Sequence, residues 1–243
     1  MNIKEDRQKF YNSFIISHEL FENVVGNVVS FDLKLNRTGI AITNLNKPNN
    51  FTTQSILFKP SKQLERYKKV NLIIKQAIKL MNDYNPKLIV IENYSFAPKR
   101  SSSITTLAEL GGILRWNLGK FKIPILEVAP LQLKKWILGQ VHGEKNLILK
   151  NVYKRYKYDA PNDDEADALV LADIGSHLVR LTSKDSLESS SNEYLKEYMK
   201  SIPVLFQEEK PRIHQYHTEV VYKLIQEQGN RLKQYWTKRL DGI

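Results

Sequence analysis

One stretch of the sequence indicates how the chain folds: Pro161-Asn162-Asp163-Asp164-Glu165-Ala166-Asp167-Ala168-Leu169-Val170-Leu171-Ala172. Four acids in five positions stand directly before an apolar run, which is typical of a helix start. Pro161-Asn162 predicts a turn and an N-cap, with Glu165 placed to close a capping-box-like pair. The helix should begin near position 163, so Asp164 and Asp167 project from one face of its first turn. Acids in a first turn are favoured by the helix dipole, so this stretch alone does not establish a site.

Two further acids each follow a short apolar run. Asp32 comes after residues 28–31, which are rich in β-branched side chains, and Glu92 comes after the uninterrupted run Leu-Ile-Val-Ile at 88–91. Such runs predict buried strands. An acid at the end of a buried strand is costly to desolvate unless it is paired or bound to a metal. The motifs contain no obvious cationic partner, so two strand ends and one helix start together favour a site for Mg²⁺ or Mn²⁺.

Composition limits the class of protein. The chain has 243 residues, of which 42% are hydrophobic, and this suffices for one full domain with an appendage. The absence of cysteine excludes disulfides and thiolate metal sites. No run approaches the roughly 18 apolar residues that span a bilayer, and the N-terminus lacks a secretory apolar region. We therefore expect a soluble, intracellular, cytoplasmic protein with no membrane partner.

The positive charge is concentrated in one part of the chain. The formal net charge is +11, and residues 28–183 hold the whole excess, with 24 Lys or Arg against 13 Asp or Glu. Four of those acids are the suspected metal ligands. A basic domain around an acidic cluster indicates a polyanionic substrate, with nucleic acid the first choice.

The order of predicted elements is that of an α/β domain. Strands are predicted at 28–33, 38–43, 51–58, 87–92 and 124–128, and helices at 61–84, 104–118, 144–156 and 163–180, with a further helix opening at Pro130. The predicted domain covers residues 28–183. Residues 1–27 form an N-terminal extension, interpreted as a short amphipathic helix or a partner-binding arm. Residues 184–243 follow a serine-rich linker and form a helical C-terminal extension.

Several segments carry candidate nucleic-acid contacts. The loop at 93–103 contains Tyr94, Phe96, Lys99 and Arg100, which suit base and phosphate contacts, although an aromatic pair can also simply anchor a loop. Gly111-Gly112 lies inside a predicted helix, which indicates close approach to another helix or to DNA. The lysines flanking the next loop are Lys134, Lys135 and Lys145.

The chain resembles the RuvC-type Holliday junction resolvases, particularly their phage-borne relatives, over roughly residues 28–180. Besides Asp32, the segments that carry the resemblance are Ile89-Val90-Ile91-Glu92-Asn93-Tyr94-Ser95-Phe96, Ala108-Glu109-Leu110-Gly111-Gly112-Ile113-Leu114-Arg115-Trp116, Val128-Ala129-Pro130-Leu131-Gln132-Leu133-Lys134-Lys135, Gly143-Glu144-Lys145 and Asp164-Glu165-Ala166-Asp167-Ala168-Leu169. They occur in the family's order. The chain departs from the family at the first strand, where Asp32-Leu33-Lys34 replaces the usual Asp-Pro-Gly or Asp-Pro-Ser.

The resemblance implies a ribonuclease-H-like fold, with a mixed five-stranded sheet flanked by helices. It implies that Asp32, Glu92, Asp164 and Asp167 bind two Mg²⁺ ions, for which Mn²⁺ substitutes. Lys134 and Lys145 would lie near the scissile phosphate, and either Tyr94 or Phe96 would insert at the crossover. The implied activity is metal-dependent cleavage of four-way and branched DNA by a homodimer, in a protein that a virus could encode for use in its host cell.

Three details of the expectation remain open. Lys34 would direct extra positive charge toward the site or toward DNA. A YqgF-like nuclease acting on RNA is an alternative, because Asp32, Arg37, Gly39 and Ala41 echo that family's first strands. An inactive junction-binding scaffold is a third interpretation, which the presence of all four acids disfavours.

Overall fold

The computed structural model describes residues 26–45, 51–57, 65–94, 101–139 and 145–181. The strands are β1 (Asn27–Asp32), β2 (Arg37–Asn44), β3 (Phe51–Leu57), β4 (Leu88–Glu92) and β5 (Ile125–Val128). The helices are α1 (Arg66–Tyr84), α2 (Ser101–Gly119), α3 (Pro130–Leu138), α4 (Lys145–Tyr156) and α5 (Asp163–Leu181).

The strands form one mixed sheet in the order β3-β2-β1-β4-β5. β1, β2 and β3 pair antiparallel, whereas β4 is parallel to both β1 and β5. Parallel pairing brings the carboxyl ends of β1 and β4 to the same edge of the sheet. Phe31 pairs with Ile91, so the next residue on each strand, Asp32 and Glu92, lie side by side at that edge.

Helices cover both faces of the sheet, because the central strands are buried on both sides. Side chains alternate between faces along a strand, and the two hydrophobic clusters follow that alternation. Val28 of β1 and Val90 of β4 face a cluster with α3, α4 and α5, whereas Val29 and Ile91 face α1 and α2. By the same alternation, Asp32 and Glu92 belong to the face that α5 covers.

Helix α5 lies unusually close to the sheet at two glycines. A Cβ on Gly39 of β2 would overlap the backbone carbonyl of Asp164, and a Cβ on Gly175 would lie 2.5 Å from Val90 Cγ2. Between them, the hydroxyl of Ser30 donates a hydrogen bond of 2.6 Å to the carbonyl oxygen of Ala168. Since Gly39 pairs with Asp32 across the hairpin, the contact sets the start of α5 directly beside Asp32.

A buried polar cluster ties α5 to the two preceding helices. Asp173 accepts hydrogen bonds from Trp136 Nε1 (2.7 Å) and the Tyr156 hydroxyl (2.6 Å). Arg155 Nη2 lies 3.1 Å from Asp173 Oδ2, the oxygen that accepts both hydrogen bonds, and His177 Nε2 lies 3.2 Å from Asp173 Oδ1. Burial alone would raise the pKa of Asp173, but the charges of His177 and Arg155 and the hydrogen bonds it accepts lower that pKa below its ordinary value.

The predicted α/β architecture, a mixed sheet flanked by helices, is confirmed, with element ends displaced by up to five residues. α1 begins at Arg66 after Glu65 as its N-cap, so its predicted start at position 61 is wrong. The predicted start of α4 at position 144 lies outside the described residues. The domain limits and the extensions at 1–27 and 184–243 stay predictions, because residues 1–25 and 182–243 are outside that part of the chain. Within the described ranges, no helix is both long and apolar enough to cross a membrane.

Candidate active site

The candidate site is built where two strands end against the first turn of α5. Asp32 is the last residue of β1 and is fully buried, and Glu92 is the last residue of β4. Asp164, in the first turn of α5, is 1% exposed. The predicted placement of these acids at two strand ends and one helix start is therefore what the structure has.

The start of α5 follows the predicted capping pattern. The Glu165 backbone N–H donates to Asn162 Oδ1 (3.0 Å), and Asn162 Nδ2 donates to Glu165 Oε1 (2.9 Å). Asn162 thus satisfies one of the N–H groups that a helix start leaves without a partner. Because Asn162 and Glu165 form the cap, Asp164 and Asp167 are left to face the sheet edge.

Two cations lie among these acids, which corrects the expectation that the carboxylates have no cationic partner. Lys34 Nζ donates a hydrogen bond of 2.7 Å to Asp32 Oδ2 and another to Asp164 Oδ1. Arg37 donates from Nε to Asp164 Oδ2 and from Nη2 to Asp163 Oδ1. Lys34 therefore points toward the site, one of its two predicted directions. Arg37 is a site residue that the sequence reasoning missed.

The electrostatics of the cluster link Asp167 and Glu92 to the other acids. Burial raises the pKa of Glu92 well above its ordinary value, and the neighbouring charges of Asp32 and Asp167 raise it further. Burial lowers the pKa of the Lys34 ammonium, but Asp32, with Asp167 and Glu92, raises it above its ordinary value overall. Lys34 is therefore positively charged at neutral pH, in a site where the carboxyl groups outnumber the two cations.

The chemistry of the site suits a hard divalent ion, although its side chains are arranged around Lys34 and Arg37. Asp32 Oδ1 is buried and accepts no hydrogen bond from the part of the chain that the structure describes. Carboxylate oxygens are the donors that Mg²⁺ and Mn²⁺ prefer. As the side chains stand, no group of three or more Asp, Glu or His among the described residues is placed to hold a metal ion. The donor set fits a metal, and binding between Asp32 and Asp164 would require Lys34 to move.

Tyr94 lies two residues beyond Glu92 and is held against α2. Arg115 Nη1 donates a hydrogen bond of 2.7 Å to the Tyr94 hydroxyl, and the Arg115 guanidinium lies 4.9 Å from the centre of the ring. Arg115 is itself fixed by Glu127, whose Oε1 accepts from its Nε at 2.6 Å. Gly111 leaves the space for this tyrosine, since a Cβ there would overlap its hydroxyl. Gly111 thus makes room for a side chain of the same domain, instead of another helix or DNA.

The other predicted DNA contacts are described only in part. Lys134 and Lys135 are half-buried on α3, and no ion pair joins Lys134 to the acids in the described ranges. Phe96, Lys99 and Arg100 lie outside the described residues, and so does the side chain of Lys145 at the start of α4.

Comparison with known proteins identifies the family. The family model for the crossover junction endodeoxyribonuclease RuvC matches residues 28–174. The chain belongs to this family. A RuvC of Prochlorococcus marinus strain NATL2A is 34% identical over 101 residues, which are 41% of this chain and 64% of that protein. The RuvC of another strain of the same species is 27% identical over 151 residues, which are 61% of this chain and 96% of that protein.

A solved RuvC structure shares the fold. Thermus thermophilus RuvC in complex with Holliday junction substrate superposes with a TM-score of 0.50 at 14% identity, over 68% of this chain and 97% of that one. The fold is ribonuclease-H-like, as the resemblance implied. The family match ends at position 174, so it includes all four candidate acids and excludes the two terminal extensions.

Proposed function

We propose that this chain is a structure-selective DNA endonuclease that resolves four-way junctions and cuts other branched DNA. The observation that carries the proposal is the meeting of Asp32, Glu92 and Asp164 at one edge of the sheet, in a chain of the RuvC family. A concentration of buried acids in a domain with a large positive charge excess is difficult to explain by stability alone, since buried acids are costly. A metal-dependent reaction on a polyanion accounts for both features.

The ligands of the proposed metal site are Asp32, Glu92, Asp164 and Asp167, and we propose two Mg²⁺ ions, which Mn²⁺ can replace. Bound there, the ions would supply an activated water at neutral pH and compensate charge on the leaving oxygen. The chain's own part is to hold the carboxylates in place. β1 positions Asp32, β4 positions Glu92, and the contact of α5 with Gly39 positions Asp164. Lys134 and Lys145 would contact the scissile phosphate, and Lys135, Lys99 and Arg100 its neighbours.

Of the two candidate aromatics for opening the crossover, Phe96 is the better one. Tyr94 is engaged by Arg115 and packed over Gly111, and leaving that position would break a hydrogen bond at the domain surface. Phe96 has no polar group to satisfy, so insertion between bases costs it nothing in hydrogen bonding. We therefore assign the unstacking role to Phe96 and a supporting role to Tyr94.

We further propose a two-fold symmetric homodimer, because a four-way junction presents two equivalent strands to cut. The sequence predicts a dimer contact on the helix at 104–118, beside Gly111-Gly112, although the same apolar stripe could instead pack on the sheet. The predicted contact residues are Leu107, Leu110, Ile113 and Leu114, and this set needs revision. Leu110 and Leu114 are fully buried in the core, so they cannot contact a partner. Ile113 and Trp116 are exposed on the same helix, Trp116 by 76%, and these two residues are the candidate contact.

Since the substrate is DNA inside a cell, we place the enzyme in the cytoplasm.

The deciding experiment measures cleavage of a synthetic four-way junction, a linear duplex and a structured RNA, each with Mg²⁺ and with EDTA. We expect Mg²⁺-dependent paired cuts in the junction alone. Asp32→Asn and Asp167→Asn should abolish cutting while leaving junction binding intact in a mobility-shift assay, because each removes a ligand charge and preserves the shape of the residue. Cutting of RNA in preference to the junction would favour the YqgF-like alternative. Binding without cutting under all metal conditions would favour a scaffold.

A further inference from the structure

The turn between β1 and β2 places a lysine inside the proposed metal site. We propose that the Lys34 ammonium takes the place of a divalent ion between Asp32 and Asp164, and that a metal binds there only when Lys34 withdraws. The inference rests on the proposed function, since it concerns the same site, and it assigns to Lys34 a role in controlling when the site is loaded.

The hydrogen bonds of Lys34 and Arg37 engage most of the carboxylate oxygens of Asp32 and Asp164, two of the four proposed metal ligands. Lys34 Nζ donates to Asp32 Oδ2 and Asp164 Oδ1, and Arg37 Nε donates to Asp164 Oδ2. Three of the four oxygens of Asp32 and Asp164 are therefore engaged by cations. A compact ammonium between two carboxylates satisfies the same need for nearby positive charge that a divalent ion would. The two cannot occupy that space together.

Lys34 can leave without unfolding its surroundings. Its side chain is 39% exposed and that of Arg37 is 35% exposed, whereas the carboxylates of Asp32 and Asp164 are almost completely buried. The backbone at Lys34 is fixed, since Thr38 Oγ1 donates to its carbonyl oxygen at 2.7 Å and Leu33 is buried in the core. Withdrawal is therefore a rotation of the lysine side chain about a fixed backbone.

The arrangement has an energetic consequence in each state. Without a metal, Lys34 and Arg37 offset the repulsion among acids that are held at one edge of the sheet. With a metal, a positive charge left at the same place would repel the incoming ion, so the lysine lowers metal affinity for as long as it stays. If the withdrawn state makes up about a tenth of the population, the apparent metal affinity is about tenfold weaker than the intrinsic one.

The test is a titration of the full chain with Mn²⁺, in which free Mn²⁺ is followed by electron paramagnetic resonance without DNA. Lys34→Met, which keeps the length of the side chain and removes its charge, should bind Mn²⁺ about tenfold more tightly than wild type. Lys34→Arg should stay near the wild-type affinity, because it keeps the charge. Lys79→Met, on the exposed side of α1, serves as the matched control and should also match wild type.

Thermal unfolding gives a second readout that an ordinary structural lysine would not produce. In EDTA, Lys34→Met should unfold at a lower temperature than wild type, because the acids lose a counter-ion. At saturating Mn²⁺ the difference should vanish or reverse, since the variant binds the ion more tightly. Lys34→Arg should show neither change.

Two results would overturn the inference, and they are distinguishable. If wild type binds Mn²⁺ and Lys34→Met binds it equally or more weakly, Lys34 does not compete with the metal, while the proposed metal site stands. If neither protein binds Mn²⁺, or if Asp32→Asn binds it as well as wild type does, the proposed metal site fails and the competition with it.

Discussion

At the scale of the residue, the contacts of Tyr94 with Arg115 distinguish its role from that of Phe96. Its hydroxyl accepts a hydrogen bond from Arg115 and its ring packs over Gly111. These contacts give Tyr94 a structural role within the domain. The sequence offered Tyr94 and Phe96 equally, because both stand in the same loop and both are aromatic. The missing information was the position of Arg115, which is distant in sequence and reaches Tyr94 only after α2 has packed on the sheet.

This assignment predicts that the two aromatics behave differently when changed. Tyr94→Phe should lower the free energy of unfolding by about 1 kcal/mol, the usual net worth of a hydrogen bond, and leave the junction cleavage rate near that of wild type. Phe96→Ala should strongly slow cleavage under single-turnover conditions. Urea denaturation and a junction cleavage assay measure the two effects. If Tyr94→Phe cleaved the junction slowly and Phe96→Ala cleaved it at the wild-type rate, the assignment would be reversed.

Asp173 provides a second prediction at this scale. Its pKa is lowered in the folded protein, because His177 and Arg155 outweigh the effect of burial. A lowered pKa gives stability that is complete above the pKa of the unfolded chain, ordinarily 3.8, and is lost as the pH falls below it. Asp173→Asn should therefore flatten the loss of stability in acid. It should also lower stability near neutral pH by about 3 to 5 kcal/mol, since the buried Arg155 loses the carboxylate that offsets its charge.

The measurement for Asp173 is urea denaturation at a series of pH values between about 2.5 and 7, converted to free energies of unfolding. The matched control is Asp159→Asn, an exposed acid in the turn before α5, which should follow wild type throughout. Parallel pH curves for wild type and Asp173→Asn would contradict the prediction.

At the scale of the element, α5 and the β1–β2 hairpin determine the site together. The helix start, its capping pair and the face shared by Asp164 and Asp167 could all be predicted, because they depend on local sequence. The role of Arg37 could not be predicted, and for Lys34 the sequence left two directions open, toward the site or toward DNA. The sequence placed Arg37 in the hairpin turn, whereas it is the first residue of β2. That one-residue difference, together with the pairing of Gly39 with Asp32, puts Arg37 on the face that α5 covers.

The contact of α5 with β2 predicts a sharp contrast between two glycines. Gly39→Ala should destabilise the domain and slow cleavage, because its Cβ would overlap the Asp164 carbonyl and push the helix start away from Asp32. Gly112→Ala should stabilise it, by up to about 1 kcal/mol, since no atom lies within 4 Å of a Cβ there. Urea denaturation of both variants measures the contrast. Equal stability of the two would show that α5 can shift at no cost.

At the scale of the whole molecule, the sequence predicted the layers of the domain better than it predicted the outer surface. Hydrophobic periodicity predicted the order of strands and helices and which residues face inward, and the mixed sheet flanked by helices followed from the resemblance to the RuvC-type resolvases. The same periodicity does not distinguish a helix face that packs on its own sheet from one that meets another copy. Leu110 and Leu114 were predicted as contact residues for that reason, and they are core residues.

The revised dimer surface predicts that charge on α2 separates the subunits. Trp116→Asp and Ile113→Asp should convert a species of twice 28.3 kDa into a monomer, because each places a charge in the proposed apolar contact. Sedimentation at micromolar concentration measures the mass. The matched control is Leu131→Asp, an exposed leucine on α3, which should remain dimeric. If wild type is a monomer both free and on the junction, the symmetric arrangement is wrong.

The close packing of α5 on the sheet also determines how fast different parts of the site can move. Asp164 is carried on a helix that Gly39, Ser30 and Gly175 hold to the sheet, so the hydrogen-bonded amides of α5 beyond its first turn should exchange with solvent only when the whole domain opens. The half-exposed side chains of Lys34 and Arg37 can reorient many orders of magnitude faster. The carboxylates of the site thus stand on backbone that moves only with global unfolding, whereas the side chains of Lys34 and Arg37 rearrange within the folded state.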